Sequence, residues 1–378
     1  MPRSHDGHTL RRSLAVGAGG GAAFLSLRAL LRPRNPEMGE IVDWAGAREI
    51  AVDRSGERGA GPLATVAAGR GADYDALAAE LAPLMAEVCQ STPQSFPPFT
   101  VVDRRGFIDN NLQLAQRLFE PVERIRAGLP ESRATVLGRV AMTRYVGEMF
   151  GMVSRRVLGQ YDPVLPVSPP AGGDAPSPAL YLVEPNVRGF ERSHDAPGLP
   201  LRRWLILHEL THAWQFESHP WLRLHLAGLL REMIATGLEP LSGGAPRPSP
   251  MDLLGRLPQA LRGQLAMVGR LQAVMSVLEG YSNFVMHRVG RRHIEPFDVL
   301  EQAFHRRRQE RSGLERLIST LTGMNMKLRQ YELGERFADV VSTRGGLDLL
   351  NTVWEAPERM PTMEELRRPE LWLSRAAG

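Results

Sequence analysis

The chain has 378 residues, 43% of them hydrophobic and 23% charged, which is ordinary for a folded protein with a sizeable core. The formal net charge is only +4, from 46 basic and 42 acidic residues without a long basic run, so the composition argues against a nucleic-acid-binding protein. A single cysteine, Cys89, excludes an intrachain disulfide framework and a cysteine-based zinc cage. Any metal site must therefore use histidine and carboxylate ligands.

The first forty residues have a composition of their own. Arg11 and Arg12 precede an apolar stretch of about 15 residues, which is shorter than the roughly 18–20 residues that a membrane-spanning helix needs. The pattern resembles a twin-arginine export signal, although Arg28 and Arg32 follow the apolar stretch closely and no small-residue cleavage site is present. We therefore expect residues 1–39 to be an N-terminal extension, signal-like or unfolded, of a cytoplasmic protein. Export or membrane tethering through this extension is the alternative.

Hydrophobic periodicity after the extension predicts a mainly α-helical chain. One predicted helix contains Pro121, which predicts a kink or a break at that position. Proline- and glycine-rich loops are expected at 163–179 and 242–250. In chain order, the predicted helices span residues 73–90, 110–129, 134–159, 199–218, 221–238, 253–290, 297–321 and 345–351.

Two short apolar runs predict strands at 98–103 and 179–186, enough for a small sheet in a mainly α (α+β) fold. The second run could be an edge strand that pairs with an extended peptide. Residues 159–163 have the composition of a structural turn. Asp103 and the asparagines at 110–111 could cap the helix that follows the first strand.

The stretch LILHELTHAWQF at 205–216 has two histidines four residues apart and a glutamate beside the first. On the predicted helix, His208 and His212 would lie one turn apart on the same face and reach one ion. Zinc binds imidazole nitrogen readily, and a catalytic site leaves one position for water. Glu209 would flank the ion as the general base that takes a proton from this water. The alternative is a helix with incidental histidines, but burying these groups without a role would cost several kcal/mol.

A third ligand must come from elsewhere in the chain. The pattern H-E-x-x-H-x-x-G-x-x-H would require glycine and histidine where the chain has Gln215 and Ser218. Glu279 is the best candidate, because an unpaired carboxylate in the apolar stretch SVLEGYSNFVM would be costly, although it could also be the buried partner of an arginine. Asn283, one turn later, could hydrogen-bond a ligand histidine. Weaker candidate ligands are His225 and His287.

Several separated segments together resemble one known family. HELTHAWQFESHPWLRLHL and LEGYSNFVM surround the candidate ligands, and further matching segments are IVDW, FTVVDRRGFIDNN, RRVLGQYDP, LYLVEPNV, MNMKLRQYELGERF and LNTVWEAPERMPTMEELRRPELWL. These segments look like the zincin-like metallopeptidase type 2 family. The resemblance implies a single domain over residues 40–375 with a mainly helical, zincin-like metallohydrolase fold. It also implies a zinc-dependent peptidase or hydrolase, and one branch of the family is associated with biosynthesis of the deazaflavin coenzyme.

The resemblance implies roles for individual residues. His208 and His212 match the family's metal histidines, with Zn²⁺ as the cofactor. Glu209 matches its catalytic glutamate, and Glu279 matches its downstream glutamate. The residues that follow Glu279 differ from the histidine and acidic residues of many relatives, so the role of Tyr281 stays open.

The expected reaction is hydrolysis of a peptide or other amide bond. Tyr281 and Tyr331 could stabilise a developing oxyanion, although each is also typical of a packing residue. A small-molecule amidase or related hydrolase of cofactor metabolism is one alternative, and a non-catalytic, zinc-stabilised binding protein is another. A purely structural zinc site would not need Glu209 and usually has four protein ligands. The expected partner is a peptide or amide substrate, with no nucleic acid and with membrane contact only through the extension.

Overall fold

A computed structural model describes residues 40–57, 64–91, 93, 95–127, 133–166, 177–238, 250–309 and 324–376. The predicted N-terminal extension lies outside these residues, as do most of the two predicted loops and the end of the predicted helix 297–321. Within the described part of the chain, none of the helices has the length and apolar character needed to span a membrane.

Helices make up most of the described residues and a small mixed sheet accompanies them, which confirms the predicted mainly α fold. The helices are α1 (Trp44–Ser55), α2 (Ala64–Cys89), α3 (Arg104–Ala127), α4 (Arg133–Ser154), α5 (Glu184–His194), α6 (Gly198–Glu217), α7 (Trp221–Leu238), α8 (Pro250–His293), α9 (Phe297–Gln309), α10 (Met324–Asn351), α11 (Met363–Arg367) and α12 (Pro369–Ala376). Two short 3₁₀ turns, Thr352–Trp354 and Pro357–Arg359, connect α10 to α11.

The sequence did not predict α1, α5, α11 and α12, and several predicted helices differ from the observed ones at their ends. Pro121 lies inside α3 and does not split it. Asp103 caps α3, because its Oδ1 accepts a backbone N–H of the first turn at 2.7 Å, whereas Asn111 lies within the helix. The predicted helix 345–351 is the end of the longer α10, which has a kink at Gly346, where φ is 84°. Glycine adopts this left-handed conformation without the steric penalty of other residues.

The three described strands form one mixed sheet. They are β1 (Phe99–Val102), β2 (Gly159–Asp162) and β3 (Ala179–Val183), in the order β1-β3-β2. β1 runs parallel to β3, and β2 runs antiparallel to it. β2 is therefore an edge strand, and both edges of β3 are paired.

The sheet differs from the prediction at two of its strands. Residues 159–163 were expected to form a turn, but four of them form β2, in which Tyr161 pairs with Leu180 and both side chains are buried. Pairing and burial outweigh the turn preference of the glycine and the Asp-Pro pair. The strand at 179–183, for which an edge position was one possibility, is the central one of the three described strands.

Two hydrophobic clusters meet at the sheet. β3 contributes Leu180 and Leu182 to the larger cluster and Val183 to the smaller one. The smaller cluster is formed largely by α1, α3 and α4. The larger cluster encloses α6, whose residues 205–207 and 213–214 are all buried. Because α6 is enclosed, its polar side chains need partners within the protein.

A buried ionic network ties the first half of α6 to its neighbours. Glu184, only 1% exposed, accepts hydrogen bonds from Tyr74 of α2 at 2.5 Å and from Arg202 of α6 at 3.1 Å. Arg188 donates to the same carboxylate at 2.9 Å, and Arg202 also pairs with Glu191. Because every charge has a partner, the network holds α6 in place without leaving a buried charge uncompensated.

The long helices α8 and α10 cross with their backbones in contact. A Cβ atom on Gly280 would lie 2.2 Å from the carbonyl carbon of Gly334, and a Cβ atom on Gly334 would lie 1.8 Å from the carbonyl oxygen of Ser276. Carbon atoms in contact are normally about 3.5–4.0 Å apart. The crossing therefore requires glycine in both helices, and it lies next to Glu279 in the sequence.

We expect Gly334→Ala to lower the free energy of unfolding by about 2 kcal/mol or more, because the added methyl group must separate two helix backbones. Gly228→Ala in α7 is the matched control, since a Cβ atom there meets open space. The control should be neutral or stabilising by about 0.5–1 kcal/mol. Urea unfolding followed by circular dichroism measures both effects. A Gly334→Ala variant as stable as the wild type would contradict the backbone contact.

Candidate metal centre

Three predicted side chains from α6 and α8 converge on one point. His208 and His212 lie one turn apart on α6, and their Nε2 atoms are 3.2 Å apart. Oε2 of Glu279, on α8, lies 3.8 Å from Nε2 of His208 and 3.6 Å from Nε2 of His212. Within the described residues, these three form a group with the spacing needed to hold a metal ion.

The spacing of the three ligand atoms fits zinc. Zinc lies about 2.0–2.2 Å from histidine nitrogen and carboxylate oxygen, so ligand atoms at tetrahedral angles are roughly 3.3 Å apart. The observed separations of 3.2, 3.6 and 3.8 Å are close to this value. Three protein ligands would leave one position for water or substrate, as in catalytic zinc sites.

The Nδ1 atom of each histidine contacts an acceptor that orients the ring. Nδ1 of His212 lies 2.9 Å from Oε1 of Gln215, whose Nε2 donates to the carbonyl of Leu278 at 2.9 Å. Nδ1 of His208 lies 2.9 Å from Sδ of Met286. An amide oxygen and a thioether sulfur can only accept hydrogen bonds, so each Nδ1 carries a hydrogen. Each Nε2 is therefore the ring atom available to an ion.

Gln215 is a supporting residue that the sequence analysis missed. Its side chain is 0% exposed and joins His212 to the residue of α8 that immediately precedes Glu279. Its position three residues after His212 on the same helix was the available signal, because side chains at this spacing are neighbours. In the sequence, Gln215 stands out only as a departure from the H-E-x-x-H-x-x-G-x-x-H pattern.

A hydroxyl group of α8 also contacts His212. Oγ of Ser282 lies 3.3 Å from Nδ1 of His212 and donates to the carbonyl of Leu278 at 3.0 Å. Asn283 was the predicted partner of a ligand histidine, and the residue that makes this contact is its neighbour Ser282. Ser282 lies three residues after Glu279, and side chains at this spacing are neighbours on a helix surface.

Burial and mutual charge determine how the histidines titrate. Burial, followed by the charge of His212, lowers the pKa of His208 to about 4. Burial also acts to lower the pKa of His212, but the hydrogen bond and the charge of Glu279 outweigh it and raise this pKa to about 9. The two neighbouring histidines therefore have pKa shifts in opposite directions, and Glu279 stabilises the positive charge of His212.

Glu209 is beside this group and is only 4% exposed. Burial raises the pKa of its carboxyl group to about 7, against the lowering effects of His212 and of a hydrogen bond from the backbone of Tyr161. A carboxyl group with a pKa near neutrality, next to a candidate metal site, has the properties of a general base.

The comparisons with known proteins agree with this geometry. A family model described as zincin-like metallopeptidase matches residues 42–373. The chain belongs to the zincin-like metallopeptidase family. A crystal structure described as that of "a putative hydrolase with a novel fold from Chloroflexus aurantiacus" is 31% identical with a TM-score of 0.64, over 88% of this chain and 98% of that chain. A comparison with curated proteins finds no match. Family and structural neighbour together support a hydrolase.

In this zincin-like protein, Tyr281 lies in the core rather than at the candidate metal centre. Its side chain is 1% exposed, its ring stacks on Trp214 with centroids 5.5 Å apart, and its hydroxyl donates to Oδ1 of Asn351 at 2.6 Å. Tyr281 is two residues from Glu279 on α8, and side chains at this spacing point to different faces. The side chain of Tyr331, the other predicted oxyanion donor, lies outside the described residues.

The two weaker candidate ligands lie elsewhere in the zincin-like fold. His225 packs against the ring of Trp221 on α7. His287 bridges three helices, because its Nδ1 pairs with Glu335 of α10 and its Nε2 lies 3.4 Å from Oε1 of Glu301 of α9. The hydrogen bond to Glu335 raises the pKa of His287, and the charges of both carboxylates add to this effect while burial opposes it.

We expect the bridge at His287 to stabilise the fold most at low pH. The folded state holds the proton of this histidine more tightly than the unfolded state, so the stabilisation is fully present below about pH 6.5, the unfolded pKa. It is lost as the pH rises through the higher folded pKa. The melting temperature of His287→Gln should therefore be lower than that of the wild type at pH 5.5, and the difference should shrink by pH 9.

The control for this comparison is His305→Gln, at an exposed position of α9. Its melting temperature should follow that of the wild type across the same pH range. A difference between His287→Gln and the wild type that stays constant or grows towards pH 9 would exclude the charged bridge.

Proposed function

We propose that this protein is a zinc-dependent hydrolase that cleaves a peptide or other amide bond, with His208, His212 and Glu279 as the zinc ligands and Glu209 as the general base. The observation that carries the proposal is the convergence of two Nε2 atoms and one carboxylate oxygen at separations of 3.2–3.8 Å. A structural zinc site would usually have a fourth protein ligand. The group found among the described residues has three, with a buried carboxylate beside it.

Zinc bound by these residues would acidify a water molecule and polarise the substrate carbonyl. Glu209 accepts the proton of the attacking water, and its burial favours this uptake because it disfavours the charged carboxylate. It then returns the proton to the leaving nitrogen, which must be protonated before the amide bond breaks. One carboxyl group thus serves as base and then as acid.

The supporting residues keep the ligands in place during this sequence. Gln215 and Met286 orient the two imidazole rings through Nδ1, and Gln215 also joins α6 to α8. Partners of this kind fix the ring orientation and typically change metal affinity by about 10–100-fold when they are removed.

A peptide substrate is favoured by the position of β2. It is an edge strand, and it lies beside the proposed base, because a Cβ atom on its residue Gly159 would be 2.7 Å from Oε1 of Glu209. An edge strand can bind an extended peptide through main-chain hydrogen bonds. A peptide bound along β2 would therefore pass close to the proposed base.

Metal content measured by mass spectrometry tests the ligand set. We expect about one zinc per chain in the wild type, as for a single catalytic site, and the same content in Glu209→Gln. Glu279→Ala should lose most of its zinc on dialysis, because it removes one of three ligands. Glu370→Ala, an exposed carboxylate on α12, is the matched control and should retain it. A wild type without zinc, or a Glu279→Ala variant that binds zinc equally well, would show that the ligand set is wrong.

Hydrolysis is tested with the zinc-loaded protein and a mixture of unblocked peptides analysed by mass spectrometry. We expect cleavage by the wild type and a rate about 10²–10⁴-fold lower for Glu209→Gln, which keeps the size of the side chain but cannot act as a base. Cleavage of small amides alone would favour the amidase alternative. Equal rates for wild type and Glu209→Gln would remove Glu209 from the mechanism.

A further inference from the structure

Gly159 of β2 lies directly against the carboxyl group of Glu209. A Cβ atom on Gly159 would be 2.7 Å from Oε1 and 3.0 Å from Cγ of Glu209, and 3.0 Å from Cδ2 of Leu182. Favourable contacts between such atoms begin at about 3.5 Å. Gly159 does not have a positive φ, so its backbone conformation does not require glycine. The requirement is for space beside the carboxyl group.

β2 itself is anchored at its centre. The amide groups of Gln160 and Asn111 of α3 donate to each other at 3.1 and 3.2 Å. The hydroxyl of Tyr161 donates to Glu217 at 2.5 Å, and Arg223 of α7 donates to the same carboxylate at 2.6 Å. The strand therefore cannot easily retreat from Glu209.

We propose that Gly159 is a positioning residue for Glu209: because it has no side chain, it leaves the space that the carboxyl group occupies and lets β2 pack directly against that group. The inference rests on the proposed function, because it assigns a role to the side chain proposed as the base. Its steric part concerns Glu209 alone and can be tested without a substrate. A fixed carboxylate matters because a misplacement of about 1 Å can reduce a catalysed rate about 100-fold.

A double-mutant cycle on thermal stability tests the contact. We expect Gly159→Ala to lower the melting temperature by roughly 3–8 °C when residue 209 is glutamate, because the methyl group and the carboxyl group compete for one volume. The drop should persist in Glu209→Gln, which has nearly the same size, and should largely disappear in Glu209→Ala. Equal drops in all three backgrounds would overturn the proposal, since the methyl group would then be clashing with something else.

Gly189→Ala in α5 is the control, because a Cβ atom there meets nothing within 4 Å. Its effect should not depend on residue 209. If Gly159→Ala alone fails to fold, recovery of the fold in the double variant Gly159→Ala/Glu209→Ala supports the contact. Failure of both variants to fold overturns it.

The zinc-loaded protein separates this inference from the proposed function. We expect Gly159→Ala to retain its zinc and its KM while kcat falls about 10–100-fold. Wild-type cleavage that depends on Glu209 but is unaffected by Gly159→Ala would overturn the positioning role and leave the proposed function standing. A stability coupling between residues 159 and 209 in a protein without hydrolytic activity would support the contact and contradict the proposed function.

Discussion

The candidate site depends on how α6 packs against α8. The two histidines and Glu279 come from different helices, so the three ligand atoms converge only if these helices keep one register. The amide of Gln215 sets this register, because it bonds His212 on one side and the carbonyl before Glu279 on the other. The backbone contact between Gly280 and α10 holds α8 in this register from its other side. An error of one residue in this packing would rotate Glu279 by roughly 100° and separate it from the histidines.

The two halves of α6 lie in different electrostatic environments. Near its start, the carboxylate of Glu184 is surrounded by Tyr74, Arg188 and Arg202, so its charge is compensated. Around the histidines, three ligand atoms from α6 and α8 face one another at separations of 3.2–3.8 Å. The first arrangement secures the helix, and the second favours a positive charge supplied from outside.

Much of the local structure was predictable from the residues. Helical periodicity identified the principal helices, and the spacing of His208 and His212 placed both on one face. The cost of an unpaired carboxylate in an apolar helix pointed to Glu279, which the structure brings to within 4 Å of both histidines. Long-range pairing was not predictable in the same way. The strand at 159–162 has turn-forming residues, and its pairing with a strand twenty residues later overrides that preference.

The sequence by itself determined the helix that carries the two histidines and most of the other long helices, the faces on which the candidate ligands lie and the membership of the zincin-like metallopeptidase family. These features follow from the helical period of 3.6 residues per turn and from short contiguous segments of sequence. They do not depend on contacts between distant parts of the chain. Tertiary structure alone decided that Ser282 and Gln215 support His212, that Tyr281 belongs to the core, and that Gly159 borders Glu209. Each of these depends on which face of one element packs against another. On a helix, side chains one residue apart point in directions that differ by about 100°.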